Sequence, residues 1–438
     1  MMMITESSTP QTEVSTPTVV RRGRVWKGPR PATDRAPRGA YLAAAAAVSM
    51  IAGGAVSMAH LDNGPGAAAQ PAAADVPLGS MYRVVDDIGA RALWEQGFTG
   101  AGVNVAVIDT GVAPVDALGG PDKLVAAVDL SDERAHASTV FVDNFGHGTH
   151  LAGIIAGRSP DADPVVAAQH PEWFLGVAPD AGIVSIKVAG RDGSLSPAAL
   201  ISGIDWVIAN ADDLDIRVIN LAVDGASNNP RTETELAAAV ERAWNAGIVV
   251  VTAAGNDGAG SGGLAAPASD PYVIAVGGLE ATDDGFVVAD FTSRGDGVRN
   301  PDIAAPGAHI ESLRAPGSYA DVDHPEGYVD QQRFLASGSS QAAAVAAGVA
   351  ALLLDENPAL TPDQVKAAMV ASAVPLAGAG ESAVGAGVIS AIDAASVAPT
   401  TSVQTWERTV SSGQLPDVPG AVVDLQPSSS AWASSAWA

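Results

Sequence analysis

The chain has 438 residues, of which 47% are hydrophobic, 49 are Asp or Glu and 23 are Lys or Arg, and this composition predicts a folded acidic protein with a large core. The formal net charge of −26 excludes nucleic acid as the expected partner, because little positive charge is present to neutralise phosphates. The chain has no Cys, which excludes disulfides, thiol catalysis and thiolate metal sites.

The two ends of the chain differ from its middle in charge and hydrophobicity. Residues 1–40 form a basic N-terminal arm, with seven basic and three acidic residues. Residues 41–59 are uncharged and apolar, and an apolar run after a basic flank predicts a signal peptide or a membrane anchor that leaves the rest of the chain outside. An Ala-rich soluble helix is the alternative. Residues 60–80 predict a linker, residues 81–398 a folded domain, and residues 399–438 a flexible tail.

Short apolar runs alternate with helical patterns through the folded domain. The predicted strands are Val103–Ile108, Ile183–Val188, Val218–Val223, Ile248–Thr252 and Tyr272–Val276. The predicted helices are Ser196–Ala211, Thr232–Asn245, Gln341–Leu354 and a helix that begins at Thr361 with a capping box. Because the strands are continuously apolar and alternate with helices, the sequence predicts an α/β three-layer fold, with a mostly parallel central sheet and helices on both faces.

Four polar residues lie at positions where such a fold usually carries its catalytic groups. Asp109 and Asn256 follow predicted strands, His147 precedes an apolar helical run, and Ser340 begins a helix that is apolar on all sides. A histidine can take the proton of a serine hydroxyl when a carboxylate fixes its tautomer, and an amide can bind the oxyanion that forms on attack. Each residue alone is more often structural, as a cap or a turn, but the set favours catalysis.

Three motifs give the chain a family resemblance. They are VAVIDTGV at 105–112, GHGTHLAG at 146–153 and GSSQAAAVAAG at 338–348. With these motifs the chain resembles the subtilisin-family serine proteases, or subtilases. The order of the three residues along the chain, Asp then His then Ser, is that of subtilisin, whereas an α/β-hydrolase has Ser first and His last. The resemblance extends from residue 81 to residue 397 and implies the subtilisin-like three-layer fold.

The resemblance implies an exported serine endopeptidase that hydrolyses peptide bonds through an acyl-enzyme. It implies that Ser340 is the nucleophile, His147 the general base, Asp109 the orienting carboxylate and Asn256 the oxyanion donor, with His150 structural. The implied substrate-binding residues are Ala189, Gly190, Leu221, Ala222, Val223, Asp224, Gly225, Ala254 and Gly255. The glycine-rich run at 258–263 lacks the following helix of a dinucleotide fingerprint, and we interpret it as a wall of the main specificity pocket.

The chain departs from the subtilase pattern at several positions. Ser339 replaces Thr, Gln341 replaces Met and Ala344–Val345 replace Pro-His, and none of these is a group that the family mechanism uses. Asp224 stands where Gly is usual, either as a solvated loop carboxylate or as a charge that favours basic substrate side chains. Only about twenty residues separate the apolar run from the folded domain, so we expect no inhibitory pro-domain in this chain.

Three further expectations concern ligands and alternatives. The implied chemistry needs no cofactor, and structural calcium is an option for which Asp129, Asp132 and Asp143 are candidates without a fixed ligand spacing. The expected partners are polypeptide substrates, the expected state is a monomer, and the domain is expected to be secreted or membrane-anchored outside the cell. An inactive subtilase-like binding module is the first rival hypothesis, and an esterase or lipase is disfavoured by the residue order.

Overall fold

The centre of the molecule is a sheet of short apolar strands that are buried on both faces. The computed structural model describes residues 19–21, 76–120, 122–133, 142–223, 230–401, 404 and 406, all of which belong to one compact unit. The strands are β1 (Val19–Arg21), β2 (Asn104–Asp109), β3 (Leu124–Asp129), β4 (Gly182–Lys187), β5 (Ile216–Leu221), β6 (Val249–Ala253), β7 (Ile274–Thr282), β8 (Gly285–Val288), β9 (Ile303–Pro306), β10 (Ile310–Leu313) and β11 (Arg333–Ala336).

The strand order places the end of β2 at a reversal of the sheet. The order is β1-β3-β4-β2-β5-β6-β7-β8, with β9 also paired to β7, while β10 and β11 form a separate antiparallel pair. The pairs between β3 and β7 are parallel, and β1 and β8 are antiparallel to their neighbours. From β2 the chain goes out to β3, returns beside β2 as β4, and continues on the other side of β2 as β5, β6 and β7. Functional groups in open α/β sheets collect at such a reversal, and Asp109 lies there.

Helices cover both faces of this sheet. They are α1 (Met81–Asp87), α2 (Ala90–Glu95), α3 (His147–Ala156), α4 (Pro197–Asn210), α5 (Pro230–Asn245), α6 (Tyr319–Asp323), α7 (Ser339–Glu356), α8 (Pro362–Ser372), α9 (Glu381–Val384) and α10 (Ala391–Ala395). A methyl group at Gly203 of α4 would lie 3.2 Å from Ile108, whereas the next residue, Asp109, contacts α3. Since successive residues of a strand point to opposite faces, α3 and α4 lie on opposite faces of β2.

The helix α7 is the central element of the core, as its sequence predicts. Every residue from Ser339 to Leu354 is buried, and the helix contacts α3 and the strands β5, β6, β7 and β9. Small Ala and Gly side chains let it approach this layer closely. A methyl group at Gly348, for example, would lie 2.5 Å from Val177. This packing buries the start of α7, including Ser340, against the carboxyl ends of the strands.

The predicted α/β architecture is confirmed, and the predicted elements are all present, with ends that differ from the prediction by no more than six residues. The capping box at Thr361 is also confirmed, with both of its hydrogen bonds formed. The sequence analysis did not predict the strands β1, β3, β8, β9, β10 and β11 or the short helices α1, α2, α6, α9 and α10.

Part of the predicted tail lies within the described residues. Gln364 of α8 donates to the carbonyl of Thr400 at 2.9 Å, and Tyr272 Oη donates to the carbonyl of Trp406 at 2.9 Å. These two contacts hold Thr400 and Trp406 to the folded domain, and a flexible tail from residue 399 stays a prediction. The described residues contain no helix long and apolar enough to cross a membrane, and the predicted signal or anchor at 41–59 lies outside them.

Candidate active site

A buried carboxylate and imidazole meet at the carboxyl end of β2. His147 Nδ1 lies 2.9 Å from Asp109 Oδ1 and 3.0 Å from Oδ2, and both side chains are at most 1% exposed. Asp109 Oδ1 also accepts a hydrogen bond from the backbone N–H of Thr110 at 2.8 Å. With Nδ1 directed at the carboxylate, the other ring nitrogen, Nε2, is left to exchange a proton with another group.

Gly148 lets α3 approach β2 closely enough for His147 to reach Asp109. A methyl group at Gly148 would lie 2.1 Å from the carbonyl oxygen of Gly111 and 3.2 Å from Asp109 Oδ1, so only glycine fits there. Gly146, the N-cap of α3, has a φ of +107°, which favours glycine in the same way. The Gly-His-Gly sequence therefore allows His147 to reach the strand.

Asp143 anchors the start of α3. Its Oδ1 accepts hydrogen bonds from Thr110 Oγ1 at 2.8 Å and Gly146 N at 2.7 Å, and its Oδ2 accepts from the N–H and hydroxyl of Thr149 at 2.8 and 2.7 Å. The carboxylate thus acts as a helix cap, with its lone pairs directed at N–H and O–H donors. Because these donors already occupy its lone pairs, Asp143 is less available as a calcium ligand than the other two candidates. Burial raises the pKa of Asp143, although these hydrogen bonds oppose the shift.

The hydroxyl of Ser340 lies in the first turn of α7. Its Oγ donates to the carbonyl oxygen of Ala222 at 3.0 Å, and the side chain is 7% exposed. A hydroxyl carries only one proton, and in this rotamer that proton points to the carbonyl of Ala222. The Ser340 side chain must therefore rotate about χ1 before it can donate the proton to a base. Since α3 and α7 contact each other, Ser340 and His147 lie at the starts of two packed helices.

The side chain of Asn256 is oriented by Ser339. Asn256 Oδ1 accepts hydrogen bonds from the N–H of Ser339 at 2.8 Å and from its hydroxyl at 2.9 Å. The Ser339 hydroxyl in turn accepts from Gly255 N at 3.1 Å. Because the amide oxygen is held in this way, Asn256 Nδ2 is the end of the side chain that is available for a ligand.

The described residues of the predicted substrate site lie around the ends of β4, β5 and β6. Ala189 pairs with Leu195 in a short hairpin after β4, and the Gly190 N–H donates to Ser194 O at 3.1 Å. Leu221 ends β5, Ala222 and Val223 follow it, and all three are buried. Ala254, directly after β6, donates its N–H to Val276 O at 3.0 Å. Asp224 and Gly225 lie outside the described residues.

A buried ion pair holds the hairpin after β4. Lys187 is fully buried, and its Nζ lies 2.7 Å from Glu133 Oε2 and 3.1 Å from the carbonyl of Val142. Glu133 Oε1 accepts from the Arg191 N–H at 3.0 Å. Burial alone would raise the pKa of Glu133, but the hydrogen bond and charge of Lys187 lower it below its usual value.

The glycine-rich run borders a cavity of about 420 Å³ beside Asn256. Gly258–Gly260 form one short 3₁₀ turn, and no α-helix follows in this described segment, so a dinucleotide fingerprint is excluded. The cavity is lined by Glu233, Ala237, Asp257, Ser261, Gly262, Gly263, Leu264, Ala265, Ala266, Pro267, Ser269 and Asp270.

His150 is held inside the protein and serves packing. Its Nε2 donates to the carbonyl of Phe334 at 3.2 Å, which ties α3 to β11. Burial, with the nearby His147 as a smaller cause, lowers the pKa of His150 to about 3.

We expect this histidine to make the fold sensitive to acid. Between the unfolded pKa of about 6.5 and the folded pKa, the unfolded chain binds a proton that the folded chain does not, so stability falls as pH falls through this window. At pH 4 the loss is about 3 kcal/mol. Measured in an inactive Ser340→Ala background, Tm should fall less between pH 7 and pH 4 in His150→Asn than in the chain with His150. Equal falls would contradict this assignment.

The comparisons with known proteins agree with the predicted family and fold. A family model described as the subtilase family matches residues 100–400, and the chain belongs to this family. Serine protease AprX of Bacillus subtilis (strain 168) is 40% identical over 283 residues, which are 62% of this chain and 61% of AprX. Minor extracellular protease Epr of the same strain is 32% identical over 68% of this chain and 39% of Epr.

A solved structure shows the same fold. Fervidolysin from Fervidobacterium pennivorans, described as a keratinolytic enzyme related to subtilisin, matches with a TM-score of 0.58 and 26% identity over 73% of this chain and 46% of that chain. This chain therefore spans less than two thirds of the length of AprX and less than half of fervidolysin.

Sequence reasoning missed the residues that position the predicted site. Ser339 orients Asn256, Asp143 and Thr110 fix the start of α3, and Glu133 pairs with Lys187. The signal for Ser339 was present, since the Thr that it replaces also carries a hydroxyl. Glu133 gave no signal, because its partners lie far away in the sequence.

Proposed function

We propose that this chain is a serine endopeptidase with Ser340 as nucleophile, His147 as general base and acid, Asp109 as orienting carboxylate and Asn256 as oxyanion donor. The observation that carries the proposal is the buried contact of His147 Nδ1 with both oxygens of Asp109, made at the start of α3, a helix that contacts α7. A buried imidazole with a carboxylate on one nitrogen can accept a proton on the other.

The proposed reaction proceeds in two acyl transfers. Ser340 Oγ turns from Ala222 O, gives its proton to His147 Nε2 and attacks the peptide carbonyl carbon. The carbonyl oxygen becomes an oxyanion that accepts from Asn256 Nδ2 and from N–H groups at the start of α7. His147 then gives the proton to the leaving amine as the C–N bond breaks. Water, deprotonated by His147, hydrolyses the resulting ester and restores Ser340.

The location and ligands of the enzyme are also proposals. We infer an exported enzyme, supported by the pattern at residues 1–59 and by the relative that is named an extracellular protease. The substrate is an unfolded polypeptide that binds along Ala189–Gly190 and Leu221–Gly225, and Ala254 and Gly255 line the adjoining wall. The chemistry uses only water and the chain's own side-chain and backbone groups, and the enzyme acts as a monomer. Among the described residues, no three acidic or histidine side chains are grouped closely enough to hold a metal ion, so structural calcium would depend on Asp129 or Asp132 with carbonyl ligands.

Digestion of an unfolded protein tests the proposed function. The purified chain is incubated with a denatured protein, with and without a chelator, and the fragments are sequenced. We expect internal cleavage that a fluorophosphonate inhibitor stops. Hydrolysis of small esters without peptide cleavage would favour an esterase, and binding without cleavage would favour the inactive module.

The contact between Ser339 and Asn256 gives a further prediction. Ser339→Ala removes the hydroxyl donor to Asn256 Oδ1 and keeps the backbone N–H donor, so the amide becomes less well oriented. We expect kcat for a peptide substrate to fall about 10-fold, which is less than the 10²–10³-fold typical for loss of the oxyanion donor itself. Ser339→Thr, which restores a hydroxyl, should keep the activity. If Ser339→Ala keeps the full kcat, the orienting role is wrong.

A further inference from the structure

The carboxylate of Glu133 joins three separate segments of the chain. Its Oε2 accepts hydrogen bonds from Lys187 Nζ at 2.7 Å and from Asn144 Nδ2 at 2.9 Å, and its Oε1 accepts from the Arg191 N–H at 3.0 Å. Lys187 ends β4, Asn144 lies three residues before His147, and Arg191 lies in the hairpin after β4, residues 189–195. One side chain therefore connects the sheet, the loop that leads into α3 and the hairpin.

The link from Glu133 toward the catalytic residues is short. Lys187 is paired with Asp109 in the register of β4 and β2, and its Nζ also donates to the carbonyl of Val142 at 3.1 Å. A methyl group at Gly111 would lie 2.7 Å from Val142 O and 3.3 Å from Lys187 Cδ, so these groups pack against the turn that follows Asp109. The contacts of Glu133 thus hold the loop before His147 beside the end of β2.

The link from Glu133 toward the hairpin is equally direct. The Gly193 N–H donates to Gly190 O at 3.0 Å and closes the turn of the hairpin, whereas the Arg191 N–H is directed at Glu133. A methyl group at Gly190 would lie 3.6 Å from Glu133 Oε1, so the carboxylate lies against this turn. The position of the hairpin relative to the loop before α3 is therefore set through Glu133.

Charge compensation alone does not account for this arrangement. Lys187 is fully buried, and a buried ammonium needs an anion beside it, which Glu133 supplies. The bonds to Asn144 and to the Arg191 N–H are not needed for that purpose, because neither group carries the buried charge. They join the two parts of the site instead, and hydrogen bonds to an ionised carboxylate are stronger than those between neutral groups.

We propose that Glu133 is a positioning residue that fixes the substrate hairpin relative to His147. A peptide that binds along Ala189 and Gly190 then has its scissile bond at the correct distance from the base, and small displacements of a bound substrate slow catalysis strongly. This inference rests on the proposed endopeptidase activity and on the proposed substrate site, to which it adds one residue that does not touch the substrate.

Two substrates of different length test the proposal. The long substrate is a peptide anilide with four residues before the scissile bond, which extend about 13 Å at roughly 3.3 Å per residue. The short substrate is an anilide with one acylated residue, which does not reach along the hairpin. In the unchanged chain, we expect kcat to be at least about 10-fold higher for the long substrate, because binding far from the scissile bond contributes to kcat.

Two variants cut the links that Glu133 makes. In Glu133→Gln, the single amide oxygen cannot accept from both Lys187 and the Arg191 N–H, and Asn144→Ala removes the donor of the loop while the ion pair stays. In both variants, we expect kcat for the long substrate to fall about 10-fold, with its KM within about threefold and kcat for the short substrate within about twofold. Asn144→Ala keeps the test valid if Glu133→Gln does not fold.

Matched controls remove similar groups elsewhere. Glu311→Gln breaks the ion pair with Arg333, and Asn210→Ala removes an amide donor to the carbonyl of Trp206. Both controls should keep the ratio of the two kcat values, whatever their Tm.

The ratio of the two kcat values separates the possible outcomes. Equal losses on both substrates in Asn144→Ala, or no loss on either, would overturn the positioning role. A ratio near one in the unchanged chain would overturn it as well, because the hairpin would then contribute nothing to kcat. If the unchanged chain cleaves neither substrate nor a denatured protein, the proposed function fails too. An active unchanged chain whose ratio survives in both variants overturns only the role of Glu133.

Discussion

Replacing Ser340 with Ala is expected to lower kcat for a peptide substrate by about 10⁶-fold, the loss typical when the nucleophile of a serine–histidine relay is removed. The variant keeps Asn256 and the start of α7, so a weak residual rate above that in water should remain. The fold should be retained, because the described hydrogen bond of the Ser340 hydroxyl is one contact to Ala222 O, worth about 1 kcal/mol. Initial rates on a peptide amide, with Tm measured in parallel, give both quantities.

An exposed serine provides the control for this substitution. Ser396, at the end of α10, donates to the carbonyl of Ile392 at 3.1 Å and is far along the chain from the site residues. Ser396→Ala should keep full activity. A Ser340→Ala variant that keeps more than about one per cent of kcat would show that another group attacks the substrate.

Replacing Asp109 with Asn should lower kcat by about 10⁴-fold while the site keeps its shape. The Asp109 carboxylate accepts the Nδ1–H of His147, so in this tautomer Nε2 carries no proton and can act as the base toward Ser340. An Asn amide directs its own N–H at Nδ1 and so favours the tautomer that carries its proton on Nε2. That tautomer cannot act as a base toward Ser340. The measurement is kcat for a peptide substrate across pH 6–10.

Asp129 offers a matched control for this prediction. It is 1% exposed and ends the neighbouring strand β3, where its Oδ1 accepts from the Ser131 N–H at 3.0 Å and from the Ser131 hydroxyl at 2.6 Å. Asp129→Asn should change Tm but leave kcat within about threefold. If Asp109→Asn loses no more activity than Asp129→Asn, the orienting role of Asp109 is wrong.

The strands and helices with a strong local pattern were predictable from the sequence. The run that ends at Asp109, the all-apolar helix α7 and the capping box at Thr361 each carry their signal within a few residues. The run Leu124–Asp129 is also apolar, but the sequence does not show that it pairs with β4. The short strands β9, β10 and β11 have four residues each, too few for a clear periodicity.

The sequence indicates which residues form the candidate site, but it does not show which groups support them. Asp109 and His147 are 38 residues apart and meet as expected. The hydrogen bond from Ser339 to Asn256 joins residues 83 positions apart, so the sequence shows that a hydroxyl is present at 339 but not which residue it binds. Likewise, the sequence does not show that the hydroxyls of Thr110 and Thr149 donate hydrogen bonds to the Asp143 carboxylate, because only the fold brings these residues together.

Mapping the residue that reacts with a fluorophosphonate tests the central claim most directly. The purified chain is labelled, digested and analysed by mass spectrometry, beside His147→Ala under the same conditions. We predict a single phosphonylated residue, Ser340, and slowing of its labelling by several orders of magnitude without the imidazole. Labelling of a different residue, or labelling of Ser340 at an equal rate in His147→Ala, would contradict the proposed relay of Asp109, His147 and Ser340.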